Sequence, residues 1–321
     1  MSPAELTPER RLRRLELVIT RRLDGLLHGS YLGLLPGVGS EAAGSREYQP
    51  GEDEVRRMDW AVTARTTTPH VRTVDADREL ATWVLADATA SMDFGTGDLE
   101  KRELTVAAVA AVGFLTAGAG NRLGTHLLHP DGVRRFPARS GRTHLLGILR
   151  ALLAAPRSEA SGDPGFPDAL TQLNRRTARR GLVVVVSDFL DGLDEDGLGR
   201  GAPAWEQPLR RLAARHQVLA VHVVDPRELE LPDVGVLTVV DPETGQRREV
   251  ATAARALRER YAAAAQQQQA TIAGALRRAG AAHLILRTDR DWVADIVRHV
   301  YAQRRLGRAA HRPISTGGAT A

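Results

Sequence analysis

The chain has no cysteine, and Lys101 is its only lysine among 44 basic residues. Without cysteine, disulfide frameworks and thiolate metal centres are excluded. Aromatic residues make up only 4% of the 321 positions and form no spaced series on which single-stranded nucleic acid could stack. No stretch reaches the roughly 18 consecutive apolar residues that a bilayer-spanning helix needs. The opening residues, with Pro3, Glu5, Pro8 and Glu9, do not read as a secretory signal. The expectation is a soluble, cytoplasmic protein with no membrane span.

What is present suits a globular α/β protein. Apolar residues make up 43%, enough for one large domain plus an added module. The net charge of +5 arises from 44 cations against 39 anions with the signs interspersed, so it describes no basic groove, and nucleic acid is not an expected partner.

Residues 8–28 carry Leu12, Leu15, Val18, Ile19, Leu23 and Leu26 at helical spacing, with arginines largely on the other faces. Such a helix can pack on its own domain or lie on a membrane surface, and periodicity alone favours the first. Residues 45–65 are dense in Arg, Asp, Tyr and Trp around the turn signal Pro50-Gly51. Residues 1–78 therefore read as an N-terminal module of helix and loop, 79–305 as the main domain and 306–321 as a disordered tail.

From residue 79 strands and helices alternate, which predicts a largely parallel, doubly wound, Rossmann-like sheet. Strands are expected at 82–86, 123–128, 133–136, 182–186, 218–224, 234–240 (an edge strand) and 284–286. Helices are expected at about 100–118, 143–154, 166–179, 204–215, 251–279 and 291–305. The four valines Val183–Val186 make the clearest strand.

Ligands of open α/β sheets collect at the carboxyl edge of the strands. Two expected strands end there in a carboxylate, one in Asp87-Ala88-Thr89-Ala90-Ser91 and the other in Ser187-Asp188. A hard dication such as Mg²⁺ takes oxygen ligands and prefers one or two carboxylates, with hydroxyls and water filling its octahedron. Asp87, Thr89 and Ser91 offer one carboxylate and two hydroxyls from a single short loop. The alternative for Asp87 is a helix-capping carboxylate without metal.

That loop resembles the Asp-x-Ser-x-Ser metal-ion-dependent adhesion site of von Willebrand A domains, with threonine at the middle hydroxyl. The resemblance implies a threonine from a second loop and an aspartate from a third. Thr143, in Ser140-Gly141-Arg142-Thr143, is the candidate for the former, with an ordinary N-cap as its alternative, and Asp188 is the candidate for the latter. Upstream, Arg46, Tyr48, Gly51, Asp53, Arg57, Asp59, Trp60 and Arg65 resemble the hallmark stretch of domain-of-unknown-function family 58, which pairs such a stretch with a von Willebrand A-like domain. This chain has one residue more than the usual Gly-Asp-Asp-x-Arg spacing. The likeness continues through His216-Gln217-Val218 and Asp225-Pro226-Arg227-Glu228, covering about residues 10–305.

The resemblance implies a non-enzymatic adaptor or chaperone-like protein that binds an anionic side chain of a partner through the metal. Members of the family are thought to work with MoxR-type AAA+ ATPases on client proteins. The motif cluster has two readings: a docking face, or an internal ion-pair lattice with Trp60 buried beneath it. Two other functions stay open. One is the same fold with a degenerate, metal-free site acting as a scaffold. The other is a metal-dependent hydrolase in which Asp191, Asp194, Glu195 or Asp196 supplies a base. The sequence contains no His-Glu-x-x-His, phosphate-loop or nucleophile-elbow pattern. His222, in a valine-rich strand, reads as a core residue, and His126 and His129 fall on opposite sides of theirs.

Overall fold

The computed structural model describes residues 13, 17, 21, 22, 45–50, 55, 58–72, 81–97, 99–116, 121–129, 131–155, 165–193, 201–240 and 246–310. In chain order the elements are β1 (Ser45–Glu47), α1 (Trp60–Thr66), β2 (His70–Arg72), β3 (Ala81–Asp87), a 3₁₀ turn at Ala90–Asp93, α2 (Lys101–Thr116), β4 (Arg122–His129), β5 (Gly132–Arg139), α3 (Arg142–Leu153), α4 (Phe166–Arg176), β6 (Leu182–Ser187), α5 (Glu206–Ala213), β7 (Gln217–Val224), α6 (Pro226–Leu229), β8 (Val236–Val240), β9 (Arg247–Ala251), α7 (Arg255–Ala279), β10 (Ala282–Arg287) and α8 (Trp292–Ala310).

Six strands form one sheet in the order β10-β7-β6-β3-β4-β5. Neighbours are parallel except β5, which returns antiparallel beside β4. The chain winds outward in one direction from β3 and in the other from β6, so the topological switch point lies between these two strands. Asp87 closes β3 and Ser187 closes β6. The expected doubly wound α/β architecture is what forms.

Both faces of the sheet are covered, which is why β6 could be a run of valines without polar alternation. Val184 and Val186 pack with residues of α2, α3 and α8 on one face. Val183 and Val185 pack with residues of α4, α5 and α7 on the other. At about 25 cal/mol per Å² of apolar area, these two layers supply the main drive for folding.

The strand expected at 234–240 is β8, but it joins no edge of the main sheet. It pairs antiparallel with β9 in a separate two-stranded ribbon. β9 reads Arg-Arg-Glu-Val-Ala, with no alternation to mark it, and its extended state comes from pairing; the following helix consequently starts at Arg255 and not at 251. The last helix runs on to Ala310, past the expected boundary at 305. Arg22, from the expected N-terminal helix, makes a bidentate ion pair with Asp291 at the start of α8, at 3.1 and 2.6 Å. That contact fits a segment packed on its own domain.

In the front module β1 pairs antiparallel with β2, placing Arg46 opposite Val71. The half-buried Tyr48 donates its backbone N–H to the Pro69 carbonyl at 2.8 Å. Asp59 caps α1, its Oδ1 accepting from the N–H groups of Ala61 and Val62 at 3.2 Å. Trp60 follows as the first helical residue, and it is 64% exposed. The burial expected for it under an ion-pair lattice is therefore not found, and α1 contributes no buried residue. Arg65 is exposed and donates from Nε to the Ala61 carbonyl at 3.1 Å. Gly51, Asp53 and Arg57 lie outside the described residues.

Candidate functional site

The Asp87 loop is built by local bonding. Asp87 Oδ1 accepts from the Thr89 N–H at 3.0 Å and the Thr89 hydroxyl at 2.7 Å, which curls the chain back over the end of β3. The Ser91 Oγ then lies 3.3 Å from Thr89 Oγ1. Arg102, 5% exposed, braces the loop from α2 by donating to the Ala88 carbonyl at 3.4 Å and to Asp93 Oδ2 at 2.8 Å.

The neighbouring strand supplies the second half. Ser187 donates its hydroxyl to Asp87 Oδ2 at 2.6 Å and accepts the Phe189 N–H at 3.0 Å. Asp188 receives a hydrogen bond from Ser91, which links it back to the Asp87 loop. The structure thus brings Asp87, Thr89, Ser91 and Asp188 together at the switch point.

Phe189, directly after Asp188, has φ of 58°. A non-glycine residue in this left-handed region costs roughly 1–2 kcal/mol and persists where its surroundings over-determine it. Here the surroundings are aromatic. The Phe189 ring lies edge-on to Phe166, Trp205 and His222, with centroids 5.5, 5.3 and 5.7 Å away. Trp205 also donates its indole N–H to the Phe189 carbonyl at 3.3 Å.

Thr143 does not join this group. β5 descends antiparallel, so Arg139 lies beside Leu123, and Leu123 beside Thr82, at the amino edge of the sheet. His144, next to Thr143, bonds the Leu123 carbonyl at 2.9 Å. Five residues of strand, about 16 Å at 3.3 Å each, separate that level from Asp87. Thr143 is an exposed residue in the first turn of α3. The hairpin at Asp131-Gly132 reverses the chain once more than a simple helix-entry reading allows, and this sends α3 to the far edge.

Three residues that sequence reasoning did not single out complete the site. Lys101, whose side chain is 0% exposed, donates from Nζ to Asp188 Oδ2 at 2.9 Å and also to Glu228 Oε1. Ser187 is the third. Glu228 belongs to a capping box on α6 with Asp225. Asp225 ties separate loops to one point by accepting from the Thr96 N–H and hydroxyl at 2.8 and 2.6 Å, the Thr288 hydroxyl at 2.7 Å and the Arg227 N–H at 2.9 Å. The solitary lysine and the Asp-Pro-Arg-Glu run were the available signals.

Charge in the site is uneven. Burial pushes the Asp87 carboxyl up to about 6, aided by the nearby charge of Asp188 and opposed by hydrogen bonds from Ser187 and Thr89. Burial would raise Asp188 too, but the Lys101 ammonium overrides it and holds that carboxyl below its ordinary value. Burial raises Glu228 despite the same ammonium. Lys101 itself is held above its ordinary value by the two carboxylates, against the cost of burial. His222, stacked on His283 with centroids 5.5 Å apart, is driven down to about 3 by burial and stays neutral in the core, as its sequence context suggested.

Among the described residues no three His, Asp or Glu side chains converge as a metal cluster. The donors that do converge are one carboxylate and two hydroxyls. In an octahedron with bonds of about 2.1 Å, adjacent ligand oxygens stand about 3.0 Å apart. The spacings from Asp87 to Thr89 and from Thr89 to Ser91, 2.7 and 3.3 Å, are hydrogen-bond distances that also lie near that edge, so the chemistry and spacing of this donor set are compatible with Mg²⁺. Asp191, the described member of the acidic loop, accepts the Phe166 N–H at 2.6 Å. Among the described residues no helix is long and apolar enough to cross a membrane.

A protein of Mycobacterium tuberculosis described as "Uncharacterized protein Rv1480" is 50% identical over 301 residues, covering 94% of this chain and 91% of its own. Among solved structures, the conserved hypothetical protein BatB from Bacteroides thetaiotaomicron aligns with a TM-score of 0.41 at 12% identity, over 70% of this chain and 99% of that one. A von Willebrand factor type A structure from Catenulispora acidiphila aligns with a TM-score of 0.39 at 13% identity, over 71% and 43%. Residues 44–271 match the family described as "Protein of unknown function DUF58", and the chain belongs to that family.

Proposed function

We propose that this protein is a non-enzymatic adaptor that binds partner proteins through a metal-ion-dependent adhesion-type site, working in the cytoplasm with a MoxR-type AAA+ ATPase on client proteins. The observation that carries the reading is the convergence of the Asp87, Thr89 and Ser91 oxygens beside Asp188 at the switch point. Asp87, Thr89 and Ser91 would hold the dication, with Asp188 behind them through the Ser91 hydroxyl. Bound there, Mg²⁺ supplies an open coordination position for a partner's Asp or Glu. One carboxylate and two neutral hydroxyls leave much of its positive charge uncancelled, which favours an anionic ligand.

The exposed Trp60 at the start of the capped helix α1 supports a second contact through the front module, since an exposed tryptophan is a frequent interface anchor. The ATPase partner rests on the family resemblance. Calorimetric titration is the direct test: the wild type should give saturable heat with Mg²⁺ and Asp87→Ala none. A purified MoxR-type ATPase should be retained by the wild type and lost by Asp87→Ala; equal retention by both would remove the adhesion role. Multiple turnover of a phosphoester or peptide by the purified protein would displace the non-enzymatic reading.

One observation favours a second reading. Lys101 already places a cation between Asp188 and Glu228, so the same fold could serve as a metal-free scaffold. Absence of Mg²⁺ heat from a folded wild type would select it.

A further inference from the structure

Three carboxylates approach the carboxyl edge of β3, β6 and β7: Asp87, Asp188 and Glu228. They are not equally available. The Lys101 ammonium takes Asp188 Oδ2 at 2.9 Å and Glu228 Oε1. The remaining oxygens are also engaged, Asp188 Oδ1 by the Leu190 N–H at 3.2 Å and Glu228 Oε2 by the Asp225 N–H at 3.0 Å. Asp87 is held differently. Besides the Thr89 N–H on Oδ1, its partners are the hydroxyls of Thr89 and Ser187, which carry no charge and can rotate to let a cation in.

The position of the lysine is unfavourable on local grounds. It is the first residue of α2, the helix end where the macrodipole disfavours a cation, and its side chain is fully buried. Neither helix propensity nor solubility accounts for the chain's single lysine in that place. Its two carboxylate partners do.

We propose that Lys101 is the residue that decides which cation the Asp87 site accepts. By occupying Asp188 and Glu228 it keeps both out of the inner coordination sphere and leaves a site with one carboxylate and two hydroxyls. Such a set suits Mg²⁺, which binds through one or two carboxylates and keeps several waters, and is poor for Ca²⁺, which takes six to eight oxygens. The ammonium also lowers the negative potential at the site, so the bound metal retains charge for an anionic partner. This rests on the metal reading of the proposed function, and Lys101 acts in it as a positioning residue.

The test is calorimetric titration of Mg²⁺ and Ca²⁺ into the full chain as wild type, Lys101→Met and Glu228→Gln, each checked for folding by circular dichroism. The wild type should bind Mg²⁺ at least about tenfold tighter than Ca²⁺. Lys101→Met should bind both cations more tightly, Ca²⁺ most, and bring the ratio toward one. Glu228→Gln should bind Mg²⁺ several-fold more weakly and keep the preference. A folded Lys101→Met with wild-type affinities and ratio would overturn the inference and leave the metal reading standing. Binding by Lys101→Met alone would remove the metal reading for the native protein and support Lys101 as the filter. Silence from both removes both. Where Lys101→Met fails to fold, Glu228→Gln decides, and an unchanged Mg²⁺ affinity would overturn the inference.

Discussion

Trp205 and Trp60 belong to the same residue type and stand at opposite extremes, 0% and 64% exposed. Trp205 lies behind the loop after β6, its ring against Phe189 and its N–H on that residue's carbonyl. Trp60 opens a seven-residue helix in which nothing is buried. The aspartates repeat the contrast. Asp188 is buried and bonded by groups from α2 and two loops, whereas the capping bonds of Asp59 go to its own helix. The sheet edge is held by side-chain bonds between distant segments under an apolar cover, whereas the front module is tied by backbone pairing of β1 with β2 and by the cap on α1, with Trp60 left exposed. Residues of the first kind are constrained by the fold. Of the second kind, Trp60 is open to solvent.

The largest expected effect on this comparison comes from Trp205→Ala. Removing a fully buried indole should cost about 3–5 kcal/mol in denaturant unfolding. It should also release Phe189 from its left-handed conformation and so displace Asp188. A loss under 1 kcal/mol would mean that the aromatic cage does not hold the site.

Asp87→Asn is the intermediate case, read in chelator. The folded-state value of about 6 stands above the ordinary 3.8, so this group's contribution to stability is present below about pH 4 and is lost as pH rises through 6. Asparagine does not ionise. The variant should therefore melt a few degrees above the wild type at pH 7.5 and match it at pH 4; the reverse order would show that Asp87 is well solvated.

The smallest stability effect belongs to Trp60→Ala, expected within about 0.5 kcal/mol because the ring is exposed. Partner capture should nevertheless fall. A clear loss of stability with capture unchanged would show that the indole has a structural role and would erase the contrast between the two regions.

Much of the sheet was legible because its strands are buried on both faces, and runs such as Val183–Val186 leave little else to form. The Asp87 loop was legible because its three oxygens fall within five residues and Asp188 ends the next strand of the sheet. Thr143 was misplaced because its level depends on the antiparallel return of β5, which the Asp131-Gly132 turn signalled, and on nothing in its own neighbours. β9 was hidden for a related reason: its strand state comes from pairing with β8.

By itself the sequence determined the alternation of strands and helices, the apolar layers and the carboxylates at strand ends, because these follow from periodicity and from chemistry confined to short segments. Only the tertiary structure decided that Lys101 would pair with both Asp188 and Glu228, and that Trp60 would face outward. Burial and charge pairing depend on groups distant in the chain meeting in a low-dielectric interior, and residue spacing carries no record of such meetings.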